Sequence, residues 1–319
     1  VRAALGINDE RDQLTPTEMI REILRARVDL LWIGGIGTYV KSASESQAAV
    51  GDKSNDAVRV NGGELRCRVV GEGGNLGFTQ LGRIEAARAG VAMNNDAVDN
   101  SAGVDTSDHE VNIKILADDV VRHGDLTMKQ RNEFLHSMTD EVGDLVLRHN
   151  YDQNTALGNA RAQASGMLGV HTRMMRQWVA AGELDRDLEF LPGDEQLREL
   201  ELAGAGLTSP ELSVLLAYSK MTLAAAVPAE VLATDPYYQP VLHRYFPKEL
   251  ADRYGDRLSA HPLAAEIIRT VVVNDLVNRG GISFMFRAAE ETAAAPLELV
   301  RGYTFARDVF ALPDLWRQV

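Results

Sequence analysis

Two glycine-rich turns offer bare backbone of the kind that can approach a phosphate or a flat ring. Gly34-Gly35-Ile36-Gly37 follows the apolar run at residues 28–33, and Gly71-Glu72-Gly73-Gly74-Asn75-Leu76-Gly77 follows the β-forming run at 66–70. Strand, glycine turn and helix is the order in which nucleotide-binding folds present N–H groups to phosphate. The spacing rules out a dinucleotide phosphate loop in both. A G-x-G-x-x-G pattern counted from Gly71 meets Leu76 at its last position, and one counted from Gly35 meets Val40. A third stretch, residues 94–110, is rich in amides, hydroxyls and carboxylates and reads as a long polar loop. Loops at the carboxyl ends of parallel strands are where such sheets bind ligands.

Other chemistries find less support. Asp108, His109 and Glu110 are consecutive, and on a helix they point in different directions, so no metal site is expected there. The remaining histidines are scattered singly, and no Ser/His/Asp arrangement or nucleophile elbow is recognisable. Cys67 is the single cysteine, which excludes an internal disulfide and a CxxC metal site; it reads as a buried strand residue. The formal charge of -13, from 33 basic and 46 acidic residues, argues against nucleic acid as a partner. No uninterrupted apolar run is long enough to cross a membrane, and residues 1–13 lack an apolar signal core, so the cytosol is the expected compartment. The chain opens at Val1 without methionine and enters a helix almost at once, which reads as a start inside a larger protein.

The elements that must position these residues follow from capping and periodicity. Thr15-Pro16-Thr17-Glu18 is a capping box with proline at the first helical position, predicting a helix to about Arg25. Residues 28–33 and 66–70 predict buried parallel strands, residues 79–88 a helix ended by Gly90, and residues 91–93 one more short strand. That order predicts part of a doubly wound, Rossmann-like parallel sheet within residues 1–110. From about residue 108 the strands stop. Phe134, Met138, Val142 and Leu145 recur at helical spacing, predicting a helix over 127–149; further helices are expected at 167–181, 208–226 and 263–278. Residues 111–319 therefore read as an all-α domain.

The motifs also carry a resemblance. Glu72-Gly73-Gly74-Asn75 resembles the E-G-A-N turn of the glutamate dehydrogenase superfamily, and Asn100-Ser101-Ala102-Gly103-Val104-x-x-Ser107 resembles its N-A-G-G-V-x-x-S loop. The wording of VDLLWIGGIGTYVK, VVGEGGNLGFTQLGRIE, DNSAGVDTSDHEVNIKI, LTSPELSVLLAYSK and HPLAAEIIRTVVVNDLVNRGG is similar to the large bacterial NAD-specific glutamate dehydrogenases, from about residue 15 to at least residue 290. The resemblance implies NAD as cofactor, with Asn75 and Asn100 beside its nicotinamide half and the Gly34-Gly35-Ile36 backbone passing close to it. It implies that Val104 and Ser107 face the substrate, L-glutamate or 2-oxoglutarate. Two departures, Gly74 for alanine and Ser101-Ala102 for Ala-Gly, leave the local backbone geometry in question.

The family's catalytic lysine and aspartate belong to a segment upstream of the part resembled here, and none of the six lysines lies in a matching motif. No catalytic residue is therefore assigned to this chain. By this reading it supplies half a cofactor site to an oxidoreductase of amino-acid catabolism, works with that upstream segment, assembles as a homo-oligomer, and is inactive alone. A second reading is a non-catalytic helical interaction or regulatory module that keeps the edge of an α/β domain.

Overall fold

A computed structural model describes residues 5–6, 13–316 and 318. It is mostly helical, with a few short parallel strands. The chain forms two compact units, residues 1–101 with 157–215 and residues 102–156 with 216–319. The expected boundary at 110/111 falls inside the helix Ser101–Arg122.

The first unit holds the strands. β1 (Leu30–Ile33) pairs in parallel with β4 (Val69–Glu72), and β2 (Val40–Lys41) with β3 (Val60–Asn61). Ala92 adds a single parallel bridge to Val69, so the strand expected at 91–93 is one residue of ladder. The strand expected at 66–70 begins three residues later, because Arg68 and Val69 first donate to the carbonyls of Val28 and Asp29 in a loop approach to the ladder. A doubly wound sheet as such is not what these short ladders establish. Ile33, Val40, Val60, Cys67, Val70, Phe78, Val91 and Met93 form the core beneath them. The other face bares Leu30, Trp32 and Val69 to solvent.

Helix ends follow the capping chemistry. Thr15 and Glu18 close the expected capping box on Pro16–Leu24, and the Thr79 hydroxyl accepts from the Gly82 amide at the start of Gln80–Arg88. The polar stretch 94–110 is not a loop. Asn95 caps a short turn, Asp96–Asp99, and the helix Ser101–Arg122 follows directly. The capping side chain of Asn95 and the absence of proline or a left-handed residue after 100 allow the helix to run through what composition suggested was a connection.

The second unit is helical throughout its described residues. The helix expected over 127–149 is two, Met128–Ser137 and Thr139–Ala162, joined at Met138. Ala264–Gly280 buries Ile267, Ile268, Val272, Val273, Leu276 and Val277, which cover more than one of its sides, as suits a central helix. Leu168–Ala180, which belongs to the first unit, and Ser209–Ala226, which begins in the first unit and ends in the second, match their expected spans closely.

A buried ion pair ties the first unit together. Arg83 Nε and Nη2 donate to Glu72 Oε2 and Oε1 at 2.7 and 3.0 Å, and Arg83 Nη2 also lies 3.1 Å from Asp96. Removing one partner from such a pair strands the other charge in the interior, at a cost of about 3–5 kcal/mol. Arg83→Met and Glu72→Gln are each expected to lower stability by that order in denaturant titrations. A loss under about 1 kcal/mol would mean the pair is not a structural tie.

Candidate functional site

The two glycine turns meet at the carboxyl ends of β1 and β4. The Gly74 amide donates to the Ile33 carbonyl at 2.9 Å, and the Thr38 hydroxyl donates to the Leu76 carbonyl at 2.8 Å. A β-carbon on Gly74 would collide with the Gly35 carbonyl oxygen. One on Gly71 would stand 2.7 Å from Trp32 Cε3. These glycines admit a neighbouring backbone and an indole ring, which explains the cluster without a phosphate. Gly34, Gly35 and Ile36 are exposed, and nothing in the structure lies within 4 Å of a β-carbon built on Gly35. That segment is an open, side-chain-poor ledge.

Asn75 and Asn100, expected to work together, are in direct contact: Asn100 Nδ2 donates to Asn75 Oδ1. The pairing leaves the whole Asn75 NH2 group and the Asn100 carbonyl oxygen unspent, with a second N–H on Asn100. Flipping both amides leaves the same complement. Asn75 is exposed and Asn100 half-buried.

Three acids, Glu72 buried and Asp96 and Asp99 half-buried, hold this turn in place. Glu72, fully buried, accepts from the Phe78 amide at 3.1 Å as well as from Arg83. Asp96 accepts from the Leu76 amide at 2.8 Å, and Asp99 from the Glu72 amide at 3.0 Å. Leu76 sits at φ 61, a left-handed conformation that the Asp96 and Thr38 bonds over-determine. Burial pushes the Glu72 carboxyl up, opposed by the hydrogen bonds and charge of Arg83; burial likewise raises Asp99. Sequence reading quoted Glu72, Asp96 and Asp99 within motifs but gave neither them nor Arg83 a role. Their signal was faint: a glutamate and an arginine inside otherwise apolar or glycine-rich segments.

Val104 and Ser107, the expected substrate-facing residues, belong to the second unit. Both are exposed, one turn apart on Ser101–Arg122, and the Ser107 hydroxyl donates to the Val104 carbonyl at 2.7 Å. The adjoining face of the same helix carries residues that sequence reading did not connect. Asp105 and His109 are a turn apart and meet His149 of Thr139–Ala162. The i, i+4 spacing of Asp105 and His109 was the available signal. Nearby, Lys220 Nζ donates to Gln153 Oε1 at 3.1 Å. Burial lowers the Lys220 pKa to about 8, against the raising influence of Asp105 and Asp152.

The family described as bacterial NAD-glutamate dehydrogenase, catalytic domain, matches residues 1–160, and that described as glutamate dehydrogenase, C-terminal, matches residues 204–319. The chain belongs to the bacterial NAD-glutamate dehydrogenase family. It is 50% identical over 319 residues to an NAD-specific glutamate dehydrogenase of Halomonas elongata, covering 100% of this chain and 20% of that protein. It is 51% identical over 310 residues to one from Pseudomonas aeruginosa, covering 97% and 19%, and 46% identical over 323 residues to one from Mycobacterium tuberculosis, covering 100% and 20%. The chain thus spans about a fifth of the length of the curated relatives it matches.

Two outcomes follow from the geometry. Gly74→Ala is expected to cost roughly 1–3 kcal/mol of stability through the clash with Gly35, whereas Gly35→Ala, with open space around it, is expected to be near neutral in thermal melts. Equal effects would contradict the packing of the two turns. For Lys220, the folded pKa of about 8 lies below the ordinary 10.5, so the unfolded chain binds more protons between those values and stability rises with pH there. Lys220→Met should therefore be relatively more stable at pH 7 and lose that advantage by pH 10. A pH-independent gap in Tm would argue that Lys220 is not desolvated.

Proposed function

We propose that this chain is part of an NAD-dependent glutamate dehydrogenase, which converts L-glutamate, water and NAD+ to 2-oxoglutarate, ammonium, NADH and a proton. NAD, when bound, accepts the hydride from the substrate α-carbon. The observation that carries the reading is the Asn75–Asn100 amide pair at the carboxyl ends of parallel strands. Its remaining NH2 and carbonyl groups match the carbonyl and NH2 of a carboxamide, and at Gly34 and Gly35 the ledge offers bare backbone to a flat ring. On this reading Asn75 and Asn100 orient the nicotinamide amide while Glu72, Asp96 and Asp99 keep the turn rigid beneath them.

Val104 and Ser107 are assigned to the substrate. Valine packs on the methylenes of glutamate, and the Ser107 hydroxyl turns from the Val104 carbonyl to donate to the side-chain carboxylate. Proton transfer and activation of the amino group fall to a lysine and an aspartate of the upstream catalytic segment. Residues 1–110 act on this view as the C-terminal part of a Rossmann-like NAD-binding domain and residues 111–319 as a helical C-terminal domain of a cytosolic homo-oligomer. Family membership, the identity to named dehydrogenases and the lack of any membrane-spanning helix among the described residues support this assignment.

The test compares the chain with a polypeptide extended to the length of its relatives, following glutamate-dependent NADH formation. Turnover is expected only in the longer protein. Activity in neither would favour a non-catalytic helical module, and activity in the chain alone would refute the absence of catalytic groups. In the longer protein, Ser107→Ala should weaken glutamate binding by roughly 1–3 kcal/mol while sparing NADH affinity. Asn75→Ala should do the reverse. An unchanged glutamate affinity in the serine variant would remove Ser107 from the substrate site.

A further inference from the structure

The second unit contains a group of side chains that the proposed dehydrogenase chemistry does not use. We propose that Asp105, His109 and His149 form a site for one divalent transition metal of the zinc class. Their ligand atoms all lie within 4.8 Å of one another. His109 Nε2 stands 3.8 Å from Asp105 Oδ1, and His149 Nδ1 stands 2.7 Å from Asp105 Oδ2.

His109 is the observation that points to a ligand. Its ring is fully buried, and neither nitrogen has a hydrogen-bond partner among the described residues. A buried polar atom left unpaired costs roughly 1–3 kcal/mol. The 3.8 Å to Asp105 is too long for a hydrogen bond. It is near the roughly 3.4 Å that separates two ligands bonded at about 2.1 Å to a tetrahedral zinc ion. A metal at Nε2 would give the ring a partner that no side chain supplies. The His149–Asp105 hydrogen bond on its own accounts for two of the three groups and leaves His109 unexplained.

The surroundings suit coordination. The His109 ring stacks on Tyr245 with centroids 4.4 Å apart and an 18° interplanar angle. Tyr245 is itself fixed, accepting from Asn112 and donating to Asp108, both at 2.8 Å. The ring plane is therefore set before any metal arrives, as outer-shell contacts do in metal sites. Burial also favours the neutral imidazole, the form that binds metal. Two imidazoles and one carboxylate select zinc-like ions over magnesium or calcium, and three protein ligands leave a position for solvent or another ligand. Asp105 and His149 are partly exposed, which provides an entry route.

Titration of the metal-free chain with Co2+ tests the site, since its visible absorption reports the coordination. One Co2+ per chain is expected, displaced by Zn2+ and not by an excess of Mg2+. Asp105→Asn and His149→Gln, both at partly exposed positions, should weaken it by at least about tenfold with the helical circular dichroism unchanged. His109→Gln should do likewise. His123→Gln, at an exposed histidine outside the group, should have no effect. Absence of Co2+ binding, or binding that survives both Asp105→Asn and His149→Gln, would overturn the proposal. The readout requires no turnover, so it stands apart from the dehydrogenase assignment.

Discussion

The carboxylate of Glu72, sealed from water and gripped by Arg83, is the interaction on which the first unit depends. It closes the last residue of β4 onto the helix Gln80–Arg88, and its own backbone amide is held by Asp99. Two amides of the Asn75 turn lead back to this network: Phe78 through Glu72 and Leu76 through Asp96. A buried pair of this kind adds little net stability over an apolar replacement, because desolvation offsets much of the attraction. What it supplies is geometric. An apolar cluster of the same volume could slide, whereas a two-point guanidinium–carboxylate bond fixes both distance and orientation.

Around that tie, the glycines do packing work. Trp32 lies across the strand surface where Gly71 and Gly73 have no side chains, and the backbone of Gly35 occupies the space in which Gly74 lacks a β-carbon. The departure from the family's alanine at position 74 is therefore matched to a close approach between the two turns. Gly35 itself has open space where its β-carbon would be. The bare face carrying Leu30, Trp32 and Val69 is the opposite case, an apolar surface among the described residues with no cover over it.

Much of the first unit was legible from local rules. The capping box at Thr15, the threonine cap at 79 and the helix of residues 80–88 all appear where side-chain chemistry requires them. The resemblance in two short motifs drew attention to Asn75 and Asn100, and the structure brings their side chains into contact. The polar stretch 94–110 misled because its composition is that of a turn. Aspartate, serine and asparagine have modest helix propensity, yet residues such as His109 and Asn112 bury one side of that segment, and burial overrides propensity. The same helix presents Val104 and Ser107 to solvent and turns His109 inward, a division that a list of residue types does not reveal.

The sequence alone determined the helical caps, the alternation of short strands with helices and the family to which the chain belongs. Those properties rest on neighbouring residues or on motifs read in order. Only the tertiary structure decided that Glu72 meets Arg83, that two amides 25 residues apart touch, and that His149 joins Asp105 and His109. Such encounters arise from the packing of elements distant in the chain, and no local preference encodes which pairs will meet.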